Sequence, residues 1–339
     1  MEERIAAYLA SRMASAEEVR VSHLYRIPGG ASRETWMFKA TWREGGERRA
    51  HEFILRRDPP ASLLESNREV EFAYYSAFAD SKVPVPGMRW IEHDASHLDG
   101  TFFIMDRIAE IESNTRRIQE PAWVEARPKI ARHMYEILAE IHAFEWRGSG
   151  LEAVSEAPAP DACWKRELDL WEAVIDANEL SPQPIARAGI RWLRRNPPPP
   201  PARVTVVHGD YRVGNILYHR EGRIRAVVDW EMAHLGDPIE DLAWGFMKDW
   251  EWARDGRKGG IIDEAEAIAV YEEASGHRVD RDALHWWSVF SNVKAQGIWL
   301  TGTKSFQEGR TDELILPMVS YTLINAEDEA LLESLGRAG

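Results

Sequence analysis

The sequence predicts an α+β protein with a strand-rich N-terminal lobe and a mainly helical C-terminal lobe. Short segments rich in β-branched and aromatic residues, separated by turn residues, are concentrated before residue 106. Apolar residues at helical spacing dominate most of the chain after that point. A chain of 339 residues also exceeds a typical single domain, so two lobes with a cleft between them are expected. We predict that the lobes cover residues 1–106 and 107–339.

The N-terminal lobe is predicted to contain a small antiparallel sheet of five strands with one inserted helix. The strand segments are Arg20 to Ile27, Thr35 to Trp42, His51 to Arg56, Met88 to Glu92 and Thr101 to Met105. Between the third and fourth strands, the apolar residues from Leu63 to Ala79 recur at roughly helical spacing. The proline-rich turn VPVPG, at Val83 to Gly87, ends this helix.

The C-terminal lobe is predicted to be helical apart from a few short strands. A helical pattern covers Trp123 to Trp146, and further helices are expected at Asp263 to Ala274, Asp282 to Thr301 and Thr311 to Leu335. A short apolar strand is expected at Val204 to Val207, followed by a hairpin with strands at Ile216 to Tyr218 and Ile224 to Val228. The hairpin turn contains Gly222.

The composition argues against several classes of protein. A formal net charge of −14 argues against broad nucleic-acid binding. We find no run of about 18 uncharged apolar residues that could span a bilayer, and the N-terminus MEERIAAYLASRM is too charged for a secretory signal. The single Cys163 excludes an intramolecular disulfide and a CxxC metal site. We therefore expect a cytoplasmic protein without nucleic-acid or membrane partners, and the sequence predicts no oligomeric state.

The most informative stretch runs from Val206 to Asp241, because it carries an acid, an amide and a second acid at the spacing that phosphoryl transfer uses. Asp210 precedes Asn215 by five residues, as the base and the metal-binding Asn do in the catalytic loop of protein kinases. Asp229 follows at the end of the predicted hairpin, where a second metal ligand belongs. The three polar side chains are therefore predicted to converge at one place.

Phosphoryl transfer requires an aligned acceptor hydroxyl, a group that accepts its proton, and cations that neutralise the triphosphate. Asp210 would orient the hydroxyl and accept its proton. Asn215 and Asp229 would hold Mg²⁺, a hard cation that prefers oxygen ligands. A further cation should reach the α- and β-phosphates from the strand-rich lobe, and Arg56 in FILRRDPP is the best-placed candidate. ATP is the expected phosphate donor, and GTP remains an alternative.

These motifs resemble those of the aminoglycoside phosphotransferase and choline-kinase-related small-molecule kinases, which have the protein-kinase fold. The resemblance is carried by HGDYRVGN at His208 to Asn215, VVDWE at Val227 to Glu231 and GDPIEDLAW at Gly236 to Trp244. Within that family the chain is most similar to a branch with LRR in the lysine strand and GGxS in the first loop. That branch includes domains attached to acyl-CoA dehydrogenases. The resemblance implies a protein-kinase-like two-lobe fold for nearly the whole chain.

The resemblance also implies roles for residues of the N-terminal lobe. Glu69, in REVEF on the inserted helix, would pair with Arg56 as the helix glutamate pairs with the strand lysine in kinases, and Glu71 is the alternative partner. Small residues let backbone N–H groups approach a phosphate closely. The loop over the phosphates would therefore be formed by Gly29, Gly30, Ala31 and Ser32.

Between the lobes and in the catalytic loop, the resemblance implies further contacts. The adenine edge would be bound by backbone groups where the chain passes between the lobes, at Met105, Asp106 and Arg107. His208 would support the catalytic loop through hydrogen bonds rather than transfer a proton. Asp237 or Asp241 would be its partner or would stabilise a helix N-terminus.

The predicted function is therefore the transfer of the γ-phosphate of ATP to a hydroxyl of a small molecule. The segment after Asp229 is too short for the activation loop of a protein kinase and lacks the APE motif, which disfavours protein substrates. The acceptor would be a hydroxyacyl-CoA or related metabolite, or an aminoglycoside or macrolide antibiotic. The alternative from another class is a pseudokinase that binds nucleotide without turnover. A metallohydrolase ranks third, because the sequence has no HExxH or comparable spacing.

Overall fold

The structure is a computed structural model that describes residues 1–27, 34–57, 68–251, 253–311 and 314–336. Its N-terminal part is built on an antiparallel sheet of five strands in the order β1-β2-β3-β5-β4. The strands are β1 (Glu17–Ile27), β2 (Glu34–Glu44), β3 (Glu47–Arg57), β4 (Met88–Glu92) and β5 (Phe102–Asp106). The five predicted strands are therefore confirmed, and the first three are longer than the sequence pattern indicated.

Two helices cover the two faces of this sheet. Helix α1 (Glu2–Arg12), which the sequence analysis did not predict, packs with Phe102 and Ile104 of β5. Helix α2 (Arg68–Ala77) lies over the other face, with Phe103 and Met105. Because successive side chains of a strand point to opposite faces, the run FFIM supplies both packing layers. Both faces of β5 are consequently buried, whereas the edge strand β1 is exposed or half-buried along its length.

The C-terminal part is helical, as predicted, with short strands near the functional motifs. Its helices are α3 (Arg127–Ala143), α4 (Cys163–Asn178), α5 (Pro184–Arg195), α6 (Ile239–Gly245), α7 (Glu264–Ser275), α8 (Arg281–Gln307) and α9 (Ile315–Gly336). Strands β7 (Ile216–Tyr218) and β8 (Ile224–Val227) form the predicted hairpin, while β6 (Thr205–Val207) pairs with β9 (His234–Gly236), which was not predicted. No helix in the described part of the chain is both long and apolar enough to cross a membrane.

The short strands determine where the motif residues lie. Strand β6 ends immediately before His208, the β7–β8 hairpin begins after Asn215, and Asp229 follows the hairpin. The pairing of β9 with β6 brings the chain back beside the start of the loop. Helix α8 packs against α6 beneath this region, and its N-terminus is capped by Asp280, which accepts hydrogen bonds from two backbone N–H groups. Asp210, Asn215 and Asp229 are therefore held on short, well-paired segments.

We expect Phe78→Ala to lower the free energy of unfolding by about 3–5 kcal/mol, because the ring is fully buried and its loss would leave a cavity. Phe78 follows α2, and its ring lies 4.6 Å from that of Phe144 and 4.7 Å from that of Trp230. Urea denaturation measures the change. Leu170→Ala, at a residue that is 52% exposed, is the control and should change stability by less than about 0.5 kcal/mol. Equal effects of the two substitutions would contradict this description of the core.

Candidate active site

The Asp210 carboxylate lies in the loop between β6 and β7 and accepts hydrogen bonds from three side chains. Its Oδ1 accepts from Nε of Arg212 at 2.9 Å and from the indole N–H of Trp244 at 2.6 Å. Its Oδ2 accepts from the amide of Asn215 at 2.6 Å, and the same amide also donates to the Asp210 carbonyl. The predicted proximity of Asp210 and Asn215 is therefore present. The side chain is 14% exposed, so a small molecule can reach it.

The backbone of the loop is held by Asp241 and not by Asp237. Asp241 accepts hydrogen bonds from the N–H groups of His208 at 2.7 Å and Gly209 at 2.9 Å, and its Oδ2 lies 3.2 Å from Nε2 of His142. Burial disfavours its charge, but the hydrogen bonds from His142 and from the backbone N–H of His208 outweigh burial and lower the pKa of Asp241. Of the two acids that the resemblance offered, Asp241 supports the loop, and Asp237 as catalytic-loop support is therefore corrected.

Asp237 instead stabilises the start of α6 and a helix packed beside it. Its Oδ1 accepts from the N–H of Ile239 at 2.9 Å, and its Oδ2 accepts from the indole N–H of Trp287 at 3.0 Å. Burial raises the pKa of Asp237 to about 6. These contacts match the other role predicted for this acid, the stabilisation of a helix N-terminus.

His208 is fully buried and connects the catalytic loop to the segment that carries Asp229. Its Nδ1 accepts from the N–H of Asp210 at 3.2 Å, and its Nε2 lies 3.1 Å from the carbonyl of Val228. Burial lowers the pKa of His208, so the ring is neutral and Nε2 carries the proton that it donates. The position of this imidazole fits a role in holding the loop.

Gly209, between His208 and Asp210, is required in the loop for a steric reason. Its φ is +79°, a left-handed conformation that side chains rarely adopt. A Cβ atom built at this position would lie 2.3 Å from the carbonyl oxygen of Met232. The close approach of the segment after Asp229 therefore requires glycine in the loop.

Arg56 lies on β3 and makes two ion pairs, one within its own lobe and one with the catalytic segment. Its guanidinium lies 2.5 Å from Oε1 of Glu71 and 2.8 Å from Oδ1 of Asp229. Burial alone would lower the pKa of Arg56, but Asp229, Tyr75 and Glu231 outweigh burial and raise it. The guanidinium is therefore a permanent buried cation beside Asp229.

The prediction that Glu69 pairs with Arg56 was wrong, because the partner on α2 is Glu71. The Glu71 side chain is fully buried, whereas the Glu69 side chain is 57% exposed and lies 3.7 Å from His93. Residues two apart on a helix point in nearly opposite directions, so only one of the two acids can face the sheet. The apolar face of α2, which includes Tyr74 and Tyr75, also contains position 71 and could have identified the correct residue.

Asp229 adopts a left-handed backbone conformation with φ +72°. Its N–H donates to the hydroxyl of Tyr75 at 2.8 Å. Arg56 contacts Oδ1 of this carboxylate. The amide nitrogen of Asn215 is turned toward Asp210, which leaves its oxygen as a ligand atom. Both residues line the same cleft, and this pair of oxygen donors fits Mg²⁺.

A cleft of about 1010 Å³ separates the sheet from the catalytic loop, and the predicted hinge residues Met105, Asp106 and Arg107 line it. The N–H of Asp106 donates to the Gly87 carbonyl, and the N–H of Arg107 donates to the Glu52 carbonyl, so neither is available to a nucleotide base. Asp106 and Arg107 could therefore contact the adenine edge only through their backbone carbonyl groups. The predicted phosphate loop, Gly29 to Ser32, lies outside the described residues.

A second group of ionisable side chains lies beneath the loop, where Nε2 of His234 is 3.1 Å from Glu240 and 3.6 Å from Glu167. Burial opposes charge on the imidazole, but the two carboxylates outweigh burial and raise the pKa of His234 to about 9. Its Nδ1 lies 3.0 Å from the carbonyl of Met232. These side chains have the spacing of a metal site, but a protonated imidazole has no lone pair for a metal. Lys294, 3.0 Å from Glu240, supplies a further cation.

We expect Glu71→Gln to lower the free energy of unfolding by on the order of 3 kcal/mol, because it removes a buried carboxylate from Arg56. Glu69→Gln, two residues away on the same helix, is the matched control and should change stability by less than about 0.5 kcal/mol. Urea denaturation of both variants measures the difference. A larger loss in Glu69→Gln would restore the original assignment.

We expect stability to decrease at high pH through His234. Since its pKa is about 9 in the folded protein and 6.5 ordinarily, its stabilising effect is complete below pH 6.5 and is lost as the pH rises through 9. The free energy of unfolding should fall by on the order of 2 kcal/mol over this range in the wild type. His234→Asn should flatten this dependence, whereas His277→Asn, at an exposed residue, should not. The same slope in His234→Asn and the wild type would contradict the assignment.

Comparison with known proteins gives three kinds of relationship. A sequence model of the Phosphotransferase enzyme family matches residues 23–287. Acyl-CoA dehydrogenase family member 11 of Gallus gallus is 29% identical over 198 residues, which are 57% of this chain and 24% of that protein. The human protein of the same name is 27% identical over 289 residues, which are 79% of this chain and 36% of that protein. The chain thus spans about a quarter to a third of the length of these relatives.

Solved structures of phosphotransferases share the fold. A Ralstonia eutropha protein provisionally described as an aminoglycoside phosphotransferase has a TM-score of 0.73 at 21% identity, covering 99% of this chain and 98% of that chain. A thermostable aminoglycoside phosphotransferase mutant bound to ADP and hygromycin B has a TM-score of 0.60 at 16% identity, covering 97% and 98%. The predicted protein-kinase-like fold and the predicted family are confirmed. Because the family match covers more than half of the sequence, the chain belongs to the Phosphotransferase enzyme family.

Proposed function

We propose that this protein transfers the γ-phosphate of ATP, or of GTP, to a hydroxyl group of a small molecule. One observation carries the proposal: the cation Arg56 and the ligand pair Asn215 and Asp229 line one cleft, and the Asp210 carboxylate accepts a hydrogen bond from Asn215. Phosphoryl transfer depends on positioning and on neutralising charge, and this group of side chains supplies both. The proposal treats 1–106 as the lobe that binds nucleotide and 107–339 as the lobe that binds the acceptor.

In this proposal the residues on the two sides of the cleft bind the triphosphate. Arg56 reaches the α- and β-phosphates, and its buried Nε has no hydrogen-bond partner among the described residues. Asn215 and Asp229 would hold Mg²⁺, which bridges phosphate oxygens and neutralises their charge. Asp106 and Arg107 offer backbone carbonyls to the base. The N–H of the next residue, Ile108, which also lines the cleft, would complete the contact.

Asp210 would orient the acceptor hydroxyl and accept its proton. Two donors contact Oδ1 and one contacts Oδ2, so the carboxylate plane is fixed while Oδ2 keeps a lone pair for the hydroxyl. Proton transfer by a positioned group typically contributes a factor of about 10²–10⁴ to the rate. Asp210 is thus the residue on which turnover should depend most strongly.

The acceptor we favour is a hydroxyacyl-CoA or a related metabolite. The relatives reported above are named as acyl-CoA dehydrogenases. The cleft is also lined by Arg107, Arg116 and Arg212, although the whole chain has a net charge of −14. Guanidinium groups favour phosphates and carboxylates over the ammonium groups of an aminoglycoside. An antibiotic acceptor is the second candidate, supported by the phosphotransferases that share the fold.

The pseudokinase alternative predicts the loss of at least one polar residue of the active site. Asp210, Asn215 and Asp229 are all present, and their side chains converge. A thermal-shift assay with ATP and Mg²⁺ distinguishes the classes in combination with a turnover assay, because a ligand that binds only the folded state raises its stability. Nucleotide-dependent stabilisation without any turnover would favour the pseudokinase.

We expect Asp210→Asn to lower kcat by about 10²–10⁴-fold while the thermal shift with Mg²⁺ and ATP is retained. Asp229→Asn is the matched variant in the same cleft, and it should lose most of the thermal shift because a metal ligand is changed. The contrast separates a defect in chemistry from a defect in nucleotide binding. Full activity of Asp210→Asn would contradict its proposed role.

The acceptor class can be identified by incubating the protein with ATP and panels of hydroxyacyl-CoA esters, aminoglycosides, macrolides and amino alcohols. We expect an acceptor-dependent release of ADP and a phosphorylated product with the hydroxyacyl-CoA panel, since the cleft carries arginines. Mass spectrometry detects the product as an added phosphate. Phosphorylation of an aminoglycoside alone would reverse the choice of acceptor and leave the phosphotransferase assignment intact.

A further inference from the structure

Trp244, on α6, makes a hydrogen bond that the spacing of the sequence motifs does not predict. Its indole N–H donates to Oδ1 of Asp210 at 2.6 Å, across 34 residues of sequence. The residue is 2% exposed, so the donor is held inside the protein and not in solvent. Its backbone carbonyl accepts from the indole N–H of Trp250 at 2.9 Å, which holds this part of α6 in place.

A buried ammonium group lies directly against the Trp244 ring. Nζ of Lys294, on α8, is 4.8 Å from the centre of that ring, within the range of a cation–π contact. The same Nζ donates to the carbonyl of Gly209 at 2.7 Å and to Glu240 at 3.0 Å. The Lys294 side chain is 1% exposed, so its charge depends on these partners.

Lys294 therefore contacts two groups next to Asp210: the carbonyl of the peptide that precedes it and the indole ring that donates to its carboxylate. Glu240 completes the neutralisation of Lys294, and two cations together, Lys294 and His234, outweigh burial and lower the pKa of Glu240 to about 2. A buried ion pair whose members are all hydrogen-bonded is costly to rearrange. The Trp244 ring thus has little freedom to move.

We propose that Trp244 is a positioning residue for phosphoryl transfer, with its ring held by Lys294. The indole N–H and Arg212 together fix Oδ1 of Asp210, which aims Oδ2 at the acceptor hydroxyl. This inference rests on the proposed role of Asp210. Trp244 would then affect turnover through its hydrogen bond to Asp210, in addition to its packing in the core.

The chain contains a matched control for this hydrogen bond. Trp287 is also fully buried, and its indole N–H donates to a buried carboxylate, Oδ2 of Asp237, at 3.0 Å. Asp237 belongs to the start of α6, where its Oδ1 accepts from the N–H of Ile239. Trp244→Phe and Trp287→Phe therefore each remove an indole N–H that donates to a buried carboxylate. Only Trp244→Phe removes it from Asp210.

The test compares kcat and the KM for Mg²⁺–ATP in these two variants, with the acceptor found in the panel screen or with water as the acceptor. We expect Trp244→Phe to lower kcat by about 10- to 100-fold, as for a small misplacement of a catalytic group, and to change KM by less than about threefold. Trp287→Phe should keep kcat within about threefold of the wild type. Similar kcat values in the two variants would overturn the proposal.

A second comparison uses Asp210→Asn as the background. If Trp244 acts through Asp210, adding Trp244→Phe should change kcat by less than about twofold, because effects within one unit are not additive. A further tenfold loss in the double variant would assign Trp244 to general stability and overturn the proposal. A wild type without turnover on any acceptor would instead overturn the proposed function and, with it, the positioning role.

An NMR measurement keeps the inference testable if Trp244→Phe does not fold. The indole ¹H–¹⁵N signal of Trp244 should shift strongly in Asp210→Asn, because its acceptor changes from a carboxylate to an amide. The signal of Trp287 should move little. Equal shifts of the two signals, or no shift of either, would contradict the hydrogen bond on which the proposal depends.

Discussion

The buried guanidinium of Arg56 makes the contact on which the geometry of the site depends. It joins the inserted helix, through Glu71, to the acid that follows the β7–β8 hairpin, Asp229. A buried cation with two carboxylate partners is stable only when both carboxylates are in place, since an uncompensated buried charge is costly. Formation of this contact therefore brings the sheet, α2 and the catalytic segment into one arrangement, and the cleft lies between them.

The second half of the site depends on a similar buried charge. Asp241 holds the backbone of His208 and Gly209 from beneath, while Lys294 holds the Gly209 carbonyl and the Trp244 ring. The loop is therefore supported from beneath by buried side chains. The left-handed Gly209 allows the Asp229 segment to pack against this loop. We thus view the site as two charged assemblies, around Arg56 and around Asp241, that meet at Asp229.

The sequence predicted the parts of this protein that are determined by local spacing. The five strands, the hairpin and the convergence of Asp210 with Asn215 follow from alternation, turn residues and short motifs. The choice between candidate residues depended on packing: Glu71 and Glu69 occupy different faces of α2, and Asp241 lies within α6 whereas Asp237 precedes it. Contacts across many residues, such as Trp244 with Asp210, leave no local pattern to detect.

A crystal structure with Mn²⁺ and a non-hydrolysable ATP analogue would locate the metal through the anomalous signal of Mn²⁺. We expect a peak within about 2.5 Å of the Asn215 amide oxygen and the Asp229 carboxylate, with Arg56 contacting the phosphates in the cleft. A metal peak at Glu167, His234 and Glu240, or a nucleotide bound away from Arg56, would contradict this expectation.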